Sequence, residues 1–405
     1  MKVLQINCVY RKGSTGKITA DIHEELLRQG VESVVCYGRG TVIEEPHVYK
    51  TCGELESKAN NLLTRFSGIM YGGLSAATKR LISVIEAEQP DIVHLQCING
   101  YFVNIYRLIQ WLKEHRIKTV VTLHAEFMHT ANCGYALDCQ RWKTGCGNCP
   151  QLKQETGSFF RDGTHDSWRR MKTAFAGFDT AIVVGVSQWI TDQASQSPIM
   201  EDMSFTCIHN GIFLDNFHPN GTLDEDMALR EKYHIPFEKH IVLHVTPDFH
   251  SPLKGGEMFR SLAERLPENY AAVVVGTGGD LSPRITAIPF TNNQKELAGL
   301  YRMADIMVST SRSDNYPTVC LEANCCGTPV VGFDVGGVSE TIGDGMGQVV
   351  PAFDEGALYQ AVMDWSNRKA EIPAELIAAR RAYCDRKRMA NDYLALYRQM
   401  AGEET

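Results

Sequence analysis

Residues 309–341 read STSRSDNYPTVCLEANCCGTPVVGFDVGGVSET, a pattern of strand, loop, helix and second strand. The apolar run ADIMVST ends at Thr310 and is followed by five polar residues. Pro317 suits the first position of a helix, because its φ is already helical and its missing N–H is not needed there. Gly327 ends that helix, and the apolar run 330–333 predicts the next buried strand. The stretch therefore predicts one repeat of an α/β sheet.

The loop before this helix suits the binding of anions and sugar hydroxyls. Free N–H groups at the helix start favour a phosphate at the end of the preceding strand. Asp314 and Glu322 are acceptor-only carboxylates that could each bind hydroxyls of an elongated ligand, and Gly336 and Gly337 let backbone approach it closely. On these residues alone, Asp314 as a helix cap and Glu322 as an ordinary exposed residue remain equally open.

The same passage resembles the signature of the retaining, nucleotide-sugar-dependent glycosyltransferases of family 4 (group 1). Their pattern is E-x(7)-E, then L-E-A-x-A-x-G-x-P-V-V and a glycine pair. Here it stands as Asp314-x(7)-Glu322, then Gly327-Thr328-Pro329-Val330-Val331 and Gly336-Gly337, with Asp as the first acid. The resemblance implies the α/β GT-B architecture, in which two Rossmann-like doubly wound domains face each other across a cleft.

Composition sets the broad class. The 405 residues are 44% hydrophobic and 22% charged, which is typical of a globular protein with two domains. The net charge of −8 argues against a nucleic-acid partner. No run of 18 apolar residues is present, and the 13 cysteines favour a reducing compartment. We expect a cytoplasmic protein, and the resemblance adds peripheral contact with the inner face of the membrane.

Domain limits are predicted from the strand and helix patterns and from the resemblance. The segment IHNGIFLDNFHP is similar to the interdomain signature of the family. We expect an acceptor-side domain over residues 1–205, a nucleotide-sugar-binding domain over 206–375, and a C-terminal helical segment over 376–405 that crosses back to the first domain. Helices are predicted over residues 56–88, 354–366 and 373–400, and a strand with a glycine turn over 271–279.

Candidates in the first domain lie where predicted strands end. Gly13 and Gly16 follow the first strand in a glycine-rich loop, although the spacing is not that of a P-loop. His124 ends another strand, and the resemblance implies that it contacts the donor sugar. Glu126 is a speculative base, and a strand-end histidine such as His94 is more often structural. Apolar residues of the 56–88 helix, including Leu62, Leu63 and Phe66, favour core packing over a membrane surface.

Candidates in the second domain follow from the same resemblance. Lys254 begins a helix, where a flexible cation suits a diphosphate. The family's arginine about five residues earlier is absent. The resemblance implies that Asp314 holds the donor sugar, that Glu322 binds the ribose, and that the base lies near residues 290–294. The remaining donor contacts implied are Gln294, Asn315, Tyr316, Pro317 and Thr318.

Four cysteines fall within residues 133–149: Cys133, Cys139, Cys146 and Cys149. Thiolates at such spacing can close a tetrahedral site around zinc. Structural zinc is the favoured interpretation, while reduced or redox-active thiols and an iron–sulfur cluster stay open, with His129 as a weaker ligand. The segment is similar in this respect to glycosyltransferases that build exopolysaccharides, in which such cysteine clusters also occur.

The predicted function is transfer of a sugar, with retained configuration, from a nucleotide diphosphate sugar to a saccharide or lipid-linked acceptor. The resemblance is to enzymes of exopolysaccharide and colanic acid biosynthesis, and it implies no metal or other cofactor for the transfer itself. A sugar-nucleotide epimerase, a phosphorylase and a non-catalytic sugar-nucleotide-binding protein are the alternatives.

Overall fold

The computed structural model describes residues 1–276 and 281–403. The chain forms two compact units, Met1–His209 with Met389–Thr405, and Asn210–Arg388. The sequence places the corresponding limits at residues 205 and 375. The glycine turn predicted at 277–279 lies outside the described residues.

The first unit is built on a seven-stranded parallel sheet in the order β3-β2-β1-β4-β5-β6-β7. Its strands are β1 (Lys2–Asn7), β2 (Glu32–Tyr37), β3 (Val48–Lys50), β4 (Ile92–Leu95), β5 (Lys118–Leu123), β6 (Ala181–Gly185) and β7 (Ser204–Cys207). The strand order reverses between β1 and β4. In open parallel sheets ligands bind beyond the carboxyl ends of the strands at such a switch point.

Helices connect these strands: α1 (Gly13–Arg28), α2 (Glu54–Ser67), α3 (Ala76–Glu88), α4 (Ile105–Glu114), α5 (Phe127–Thr130), α6 (Thr164–Phe175) and α7 (Gln188–Ser195). A 3-10 turn at Arg141–Lys143 and a π turn at Leu152–Thr156 lie between α5 and α6. The side chain of Asn104 caps α4 by accepting from the Arg107 N–H, and that of Ser187 caps α7 by accepting from the Ile190 N–H.

The second unit has a six-stranded parallel sheet in the order β10-β9-β8-β11-β12-β13. Its strands are β8 (His240–Val245), β9 (Tyr270–Gly276), β10 (Ile285–Pro289), β11 (Ile306–Ser309), β12 (Val330–Phe333) and β13 (Gly347–Val350). Its helices are α8 (Leu223–Lys232), α9 (Gly256–Arg265), α10 (Gln294–Met303), α11 (Thr318–Cys325), α12 (Glu355–Trp365) and α13 (Ala374–Cys384), with 3-10 turns at Ser339–Thr341 and Lys369–Glu371. The switch point lies between β8 and β11. Both units are therefore Rossmann-like.

The final helix, α14 (Arg386–Ala401), belongs to the first unit from Met389 onward. Met389, Tyr393 and Tyr397 are fully buried in the same core as Val3 and Ile22. The helix predicted over 373–400 is wrong as one element, because Asp385 is extended and separates α13 from α14. The Ile212 N–H donates to the Cys384 carbonyl and Ile212 accepts from the Arg386 N–H, so this backbone pairs with a second segment instead of continuing the helix.

Helix α2 has the reverse of the expected burial. The prediction of one helix over 56–88 is wrong, since residues 68–75 separate α2 from α3. Ser57, Asn60 and Thr64 are each only 2% exposed, whereas Leu62 is 50% and Phe66 51% exposed. Asn60 is buried because its amide donates to the Tyr101 carbonyl and its oxygen accepts from the Leu74 N–H. The core interpretation is therefore wrong for Leu62, Leu63 and Phe66, which are exposed on α2, whereas Met70 and Leu81 of the same predicted stretch are buried.

Candidate functional site

Lys254 and Asp314 meet at the switch point of the second unit. Lys254 lies in the loop after β8, and Asp314 in the loop after β11, the neighbouring strand. The Lys254 Nζ is 2.7 Å from the Asp314 Oδ2, and both side chains are half-buried. A cation and a carboxylate therefore lie together at the carboxyl ends of the central strands, where ligands of such folds bind.

Two glycines allow the loops that carry Lys254 and Asp314 to pack closely against neighbouring backbone. Gly255 has φ +66°, and a Cβ there would lie 1.8 Å from the carbonyl oxygen of Thr310. Gly336 has φ +57°, and a Cβ there would lie 2.1 Å from the carbonyl oxygen of Asp314, which also accepts a 2.9 Å bond from the Gly337 N–H. Only glycine fits where backbone passes this close in a left-handed conformation. The Lys-Gly and Gly-Gly pairs therefore set the position of the ion pair.

Residues 315–318 lead from this loop into α11. Asn315, Tyr316 and Pro317 are buried, and Thr318 is the first helical residue. Pro317 stands at the N-cap, one position before the predicted one, with φ −68° and ψ 110°. Burial raises the pKa of Tyr316 far above its usual range, so its hydroxyl stays protonated. Helix α11, with the free N–H groups of its first turn, therefore starts four residues after Asp314 in the chain.

Glu322 is oriented by a buried tyrosine that sequence reasoning missed. The Tyr301 hydroxyl donates to the Glu322 Oε2 over 2.9 Å, and Tyr301 is fully buried. Burial beside that carboxylate raises the Tyr301 pKa well above its usual range, so the phenol remains a donor. No sequence pattern links Tyr301 to Glu322, because the two lie on different helices.

Gln294, the first residue of α10, accepts a 3.2 Å hydrogen bond from the Asn216 side-chain amide.

His124 follows β5 in the first unit and is held by a chain of glutamines. Its Nε2 is 2.7 Å from the Gln96 Oε1, and the Gln96 amide donates to Gln5 over 3.1 Å. Because Gln96 presents its carbonyl oxygen, the Nε2 of His124 carries the proton and its Nδ1 holds the lone pair. Burial lowers the His124 pKa to about 4, so the ring is neutral at pH 7. Gln96 and Gln5 were not among the predicted residues.

Two other predicted strand-end features of this unit are His94 on β4 and the glycine loop after β1. His94 is fully buried between the Tyr397 hydroxyl, 2.6 Å from its Nδ1, and the Thr122 hydroxyl, 2.7 Å from its Nε2, so it is structural. Gly13 begins α1 with φ +66°, and the Gly16 carbonyl accepts a 3.0 Å bond from the Arg11 N–H. The glycine loop therefore closes the turn from β1 into α1.

Glu126 and His129, which follow His124 in the chain, form a buried pair. The Glu126 Oε2 is 3.8 Å from the His129 Nε2, and its Oε1 accepts a 3.2 Å bond from the Ala136 N–H. Neither His129 nitrogen has a hydrogen-bond partner among the described residues. Burial raises the pKa of Glu126 to about 7 and lowers that of His129 to about 3. At neutral pH the histidine is uncharged and the carboxyl is close to its titration midpoint.

Replacing Glu126 with Gln is expected to change the pH dependence of stability. The folded-state pKa of about 7 lies above the ordinary 4.5, so the stabilising contribution of Glu126 is complete below pH 4.5 and lost as pH rises through 7. Relative to wild type, Glu126→Gln should gain up to about 3 kcal/mol across this window. Unfolding curves from pH 4.5 to 8 measure the difference. Exposed Glu86→Gln is the control and should follow wild type; a Glu126→Gln curve that also follows it would contradict the buried-carboxyl assignment.

The four cysteines of residues 133–149 all line one small pocket of the first unit. All four are free thiols, Cys133 is buried, and the other three are partly exposed. Asn132, Arg141 and Trp142 also line this pocket. The structure therefore brings together the cysteines that the sequence singles out.

The two sheets and the site at the second switch point define a class of protein. Residues 256–382, which lie in the second unit, match the family model described as "Glycosyl transferases group 1". This segment contains Asp314, Glu322 and the Gly336–Gly337 pair of the signature, and Lys254 lies two residues before it. The resemblance predicted from residues 309–341 is confirmed.

Similarity to individual proteins extends over both units. The chain is 23% identical over 354 residues, 82% of each chain, to a protein of Escherichia coli K12 named as the colanic acid biosynthesis glycosyl transferase WcaC. It superposes on sucrose-phosphate synthase from Thermosynechococcus elongatus with a TM-score of 0.69, 17% identity and 99% coverage of both chains. It also superposes on Anabaena HepE in complex with UDP-glucose, with a TM-score of 0.64, 16% identity and coverage of 98% and 100%. The predicted GT-B fold class is confirmed.

Proposed function

We propose that the protein is a retaining glycosyltransferase that moves a sugar from a nucleoside diphosphate sugar to a saccharide acceptor in polysaccharide biosynthesis. The observation that carries this proposal is the 2.7 Å Lys254–Asp314 pair at the second switch point, with Asp314 in the loop that leads into α11. The relative named for colanic acid biosynthesis and the neighbour solved with UDP-glucose support the substrate class.

Lys254 and the start of α11 are assigned to the diphosphate. When the bond between the sugar and the diphosphate breaks, negative charge develops on the leaving oxygen. The Lys254 ammonium and the N–H groups at Thr318 and Val319 offset that charge. Asp314 is assigned to sugar hydroxyls, with the buried segment Asn315–Pro317 fixing its position. Because the chain's own groups supply this positive charge, the transfer is proposed to need no metal ion.

Glu322 is assigned to the ribose and Gln294 to the base. The Tyr301 hydroxyl fixes the Glu322 Oε2, which leaves the carboxylate in one orientation toward its ligand. In the first unit, the unprotonated Nδ1 of His124 is assigned as an acceptor for a sugar hydroxyl. The loop with Gly13 and Gly16 lies at the other switch point and is assigned to donor contacts through its backbone.

The assignment is tested by thermal unfolding with a panel of nucleotides and nucleotide sugars. A ligand at 100 times its Kd should stabilise the protein by about 2.7 kcal/mol. Glu322→Gln, which can still accept from Tyr301, should lose most of the shift for nucleotides with ribose. Tyr301→Phe is the matched variant and should lose less, because the carboxylate remains.

Products then separate the alternatives. Sugar transfer with retained configuration, measured by NMR with a saccharide acceptor, supports the proposal. Epimerised donor without acceptor, or turnover that requires inorganic phosphate, would replace it with an epimerase or a phosphorylase. Ligand binding without turnover on any acceptor would favour a non-catalytic sugar-nucleotide-binding protein.

The acceptor is proposed to be lipid-linked, because the first unit presents an apolar face on α2. Leu55, Leu62, Leu63 and Phe66 are exposed along this helix, and Phe159 and Phe160 are exposed beside it, with ring centroids 5.2 and 6.2 Å from that of Phe66. We call these six residues the α2 patch. Within residues 1–276 and 281–403, no helix is long and apolar enough to cross a bilayer. The patch is suited to lying at a membrane interface.

Cations around the α2 patch complement an anionic lipid surface. The Arg65 guanidinium stacks over Phe159, 5.4 Å from the ring centroid, and Arg161 adjoins Phe160 in the chain. Arg170 lines a groove together with Leu63 and Leu74. Aromatic and aliphatic side chains beside arginines bind interfaces by insertion and by attraction to lipid phosphates. We therefore propose peripheral contact with an anionic membrane.

Vesicle flotation tests the α2 patch. Wild type should float with vesicles of phosphatidylglycerol and phosphatidylcholine, and Leu62→Ser/Phe66→Ser should bind at least about tenfold more weakly, because each buried apolar side chain contributes about 1.5–3 kcal/mol. Leu27→Ser is the control, since Leu27 is exposed to the same extent, 51%, but lies on α1 outside the patch. Equal binding by the double variant and wild type would overturn the membrane assignment without affecting the donor site.

A further inference from the structure

We propose that Cys133, Cys139, Cys146 and Cys149 bind one structural zinc ion, which holds the irregular segment of residues 131–163 and, through it, Glu126, two residues after His124 in the chain. This proposal is independent of the function proposed above, because it rests on a different part of the chain.

The segment between α5 and α6 needs a local stabiliser. Residues 131–163 contain only the short 3-10 and π turns. Long segments without helices or strands are uncommon inside compact domains. Nevertheless Cys133, Ala136 and Trp142 are buried, and the Trp142 Nε1 has no hydrogen-bond partner among the described residues. A metal that crosslinks the segment supplies the order that secondary structure does not supply here.

The backbone around the Cys146-x2-Cys149 pair forms a tight turn. Four consecutive residues have positive φ: Gly145 (123°), Cys146 (54°), Gly147 (97°) and Asn148 (48°). This conformation costs free energy at the two non-glycine positions. The Arg141 Nη1 closes the turn by donating to the carbonyls of Gly147 and Asn148 over 2.9 and 2.7 Å. The result is a tight turn with both sulfurs at one pocket.

Charge and hydrogen bonding around the pocket fit a tetrathiolate centre. Four thiolates around Zn²⁺ leave two negative charges, and the Arg141 side chain lines the pocket to offset them. The far side of the turn is also fixed, because the Cys149 N–H donates to Asp162 over 2.7 Å and the Gly147 N–H to the Thr164 hydroxyl over 3.1 Å. The site is thus anchored at the start of α6.

A shared metal ion requires the four sulfurs to lie closer together than they do in this structure. Among the described residues, no three of these four sulfurs lie within 4.8 Å of one another. Tetrahedral zinc requires Zn–S distances of about 2.3 Å. All four cysteines line the same pocket, so a shared zinc ion requires their sulfurs to move inward by rotation about χ1 when the metal binds.

Hydrogen bonds join the segment to Glu126, two residues after His124 in the chain. The Glu126 N–H donates to the Gly134 carbonyl over 3.0 Å, and the Ala136 N–H donates back to the Glu126 carboxyl. Gly134 also donates to Glu155 over 2.8 Å. Cys133 and Cys139 bracket these contacts in the chain. Zinc at the four cysteines would therefore position Glu126, two residues after His124, without contacting the substrate.

The experiment is metal analysis of the purified full chain. We expect about one zinc per chain by mass spectrometry, loss of it in Cys146→Ser/Cys149→Ser and in Cys133→Ser, and retention in Cys52→Ser, a buried cysteine outside the pocket. Cobalt introduced during growth should give the thiolate-to-cobalt and d–d bands of a tetrahedral tetrathiolate site. Because the cobalt spectrum is measured on the wild-type chain, it tests the site even when a serine variant fails to fold.

Three other outcomes would contradict the proposal that the four cysteines bind zinc. Zinc retained in both serine variants would place the metal elsewhere. A metal-free wild type with all 13 thiols titrating would leave reduced thiols, and fewer than 13 would indicate a disulfide. Iron with acid-labile sulfide would replace zinc with an iron–sulfur cluster.

Discussion

Lys254→Met is expected to lower the kcat of sugar transfer by about 10²- to 10³-fold, because removal of one preorganised donor to a developing oxyanion costs about 3–4 kcal/mol. Methionine keeps the length of the side chain and removes its charge. The variant should fold, since the pair it breaks is partly exposed rather than buried. Single-turnover rates measured at saturating donor separate this effect from weaker binding.

Two variants sharpen that measurement. Lys254→Arg keeps the charge and should retain more activity than Lys254→Met, and Lys254→Met/Asp314→Asn should lose less than the product of the single losses, because the two residues contact each other. Lys172→Met is the matched control, since it removes another lysine–carboxylate pair, 3.0 Å from Glu201, on the surface of the first unit. Wild-type rates in Lys254→Met would remove this lysine from the proposed mechanism.

Gly255→Ala is expected to lower the free energy of unfolding by about 2–5 kcal/mol, the sum of left-handed strain of about 1–2 and overpacking of about 1–3 kcal/mol. The added Cβ would lie 1.8 Å from the Thr310 carbonyl oxygen, and that contact is with backbone, which cannot rotate away. The loop carrying Lys254 would separate from the residues that follow β11. Thermal and denaturant unfolding measure the loss, and nucleotide binding should weaken in the same variant.

Gly30→Ala measures how much of the loss in unfolding free energy comes from the left-handed backbone conformation alone. Gly30 has φ +75°, and a Cβ added there would meet no atom within 4 Å beyond its chain neighbours, so this variant should show only the strain. Gly53→Ala has neither a positive φ nor a close contact and should resemble wild type. If Gly255→Ala and Gly30→Ala unfold alike, the backbone at Gly255 does not pass within contact distance of Thr310.

Local sequence patterns were sufficient to predict a feature where one short stretch of the chain determines it. The Asp314 to Glu322 spacing, Gly327 after the helix and the Gly336–Gly337 pair all lie within residues 309–341, and this signature predicted the match to the group 1 family model and the fold. Predictions failed where a choice depends on partners distant in the chain. The break at Asp385 depends on Ile212, and the outward face of α2 depends on Asn60 binding the loops near Tyr101 and Leu74.

The order of residues therefore establishes two Rossmann-like units, a group 1 glycosyl transferase signature and four clustered cysteines, because strand, helix and turn preferences act over a few neighbouring residues. Only the folded chain brings Lys254 to Asp314, Tyr301 to Glu322 and Gln96 to His124. Each of these contacts joins loops or helices that parallel strand order places side by side, and that adjacency depends on which strands pair. Strand pairing is a property of the whole sheet, so the chemistry of the site is settled in tertiary structure.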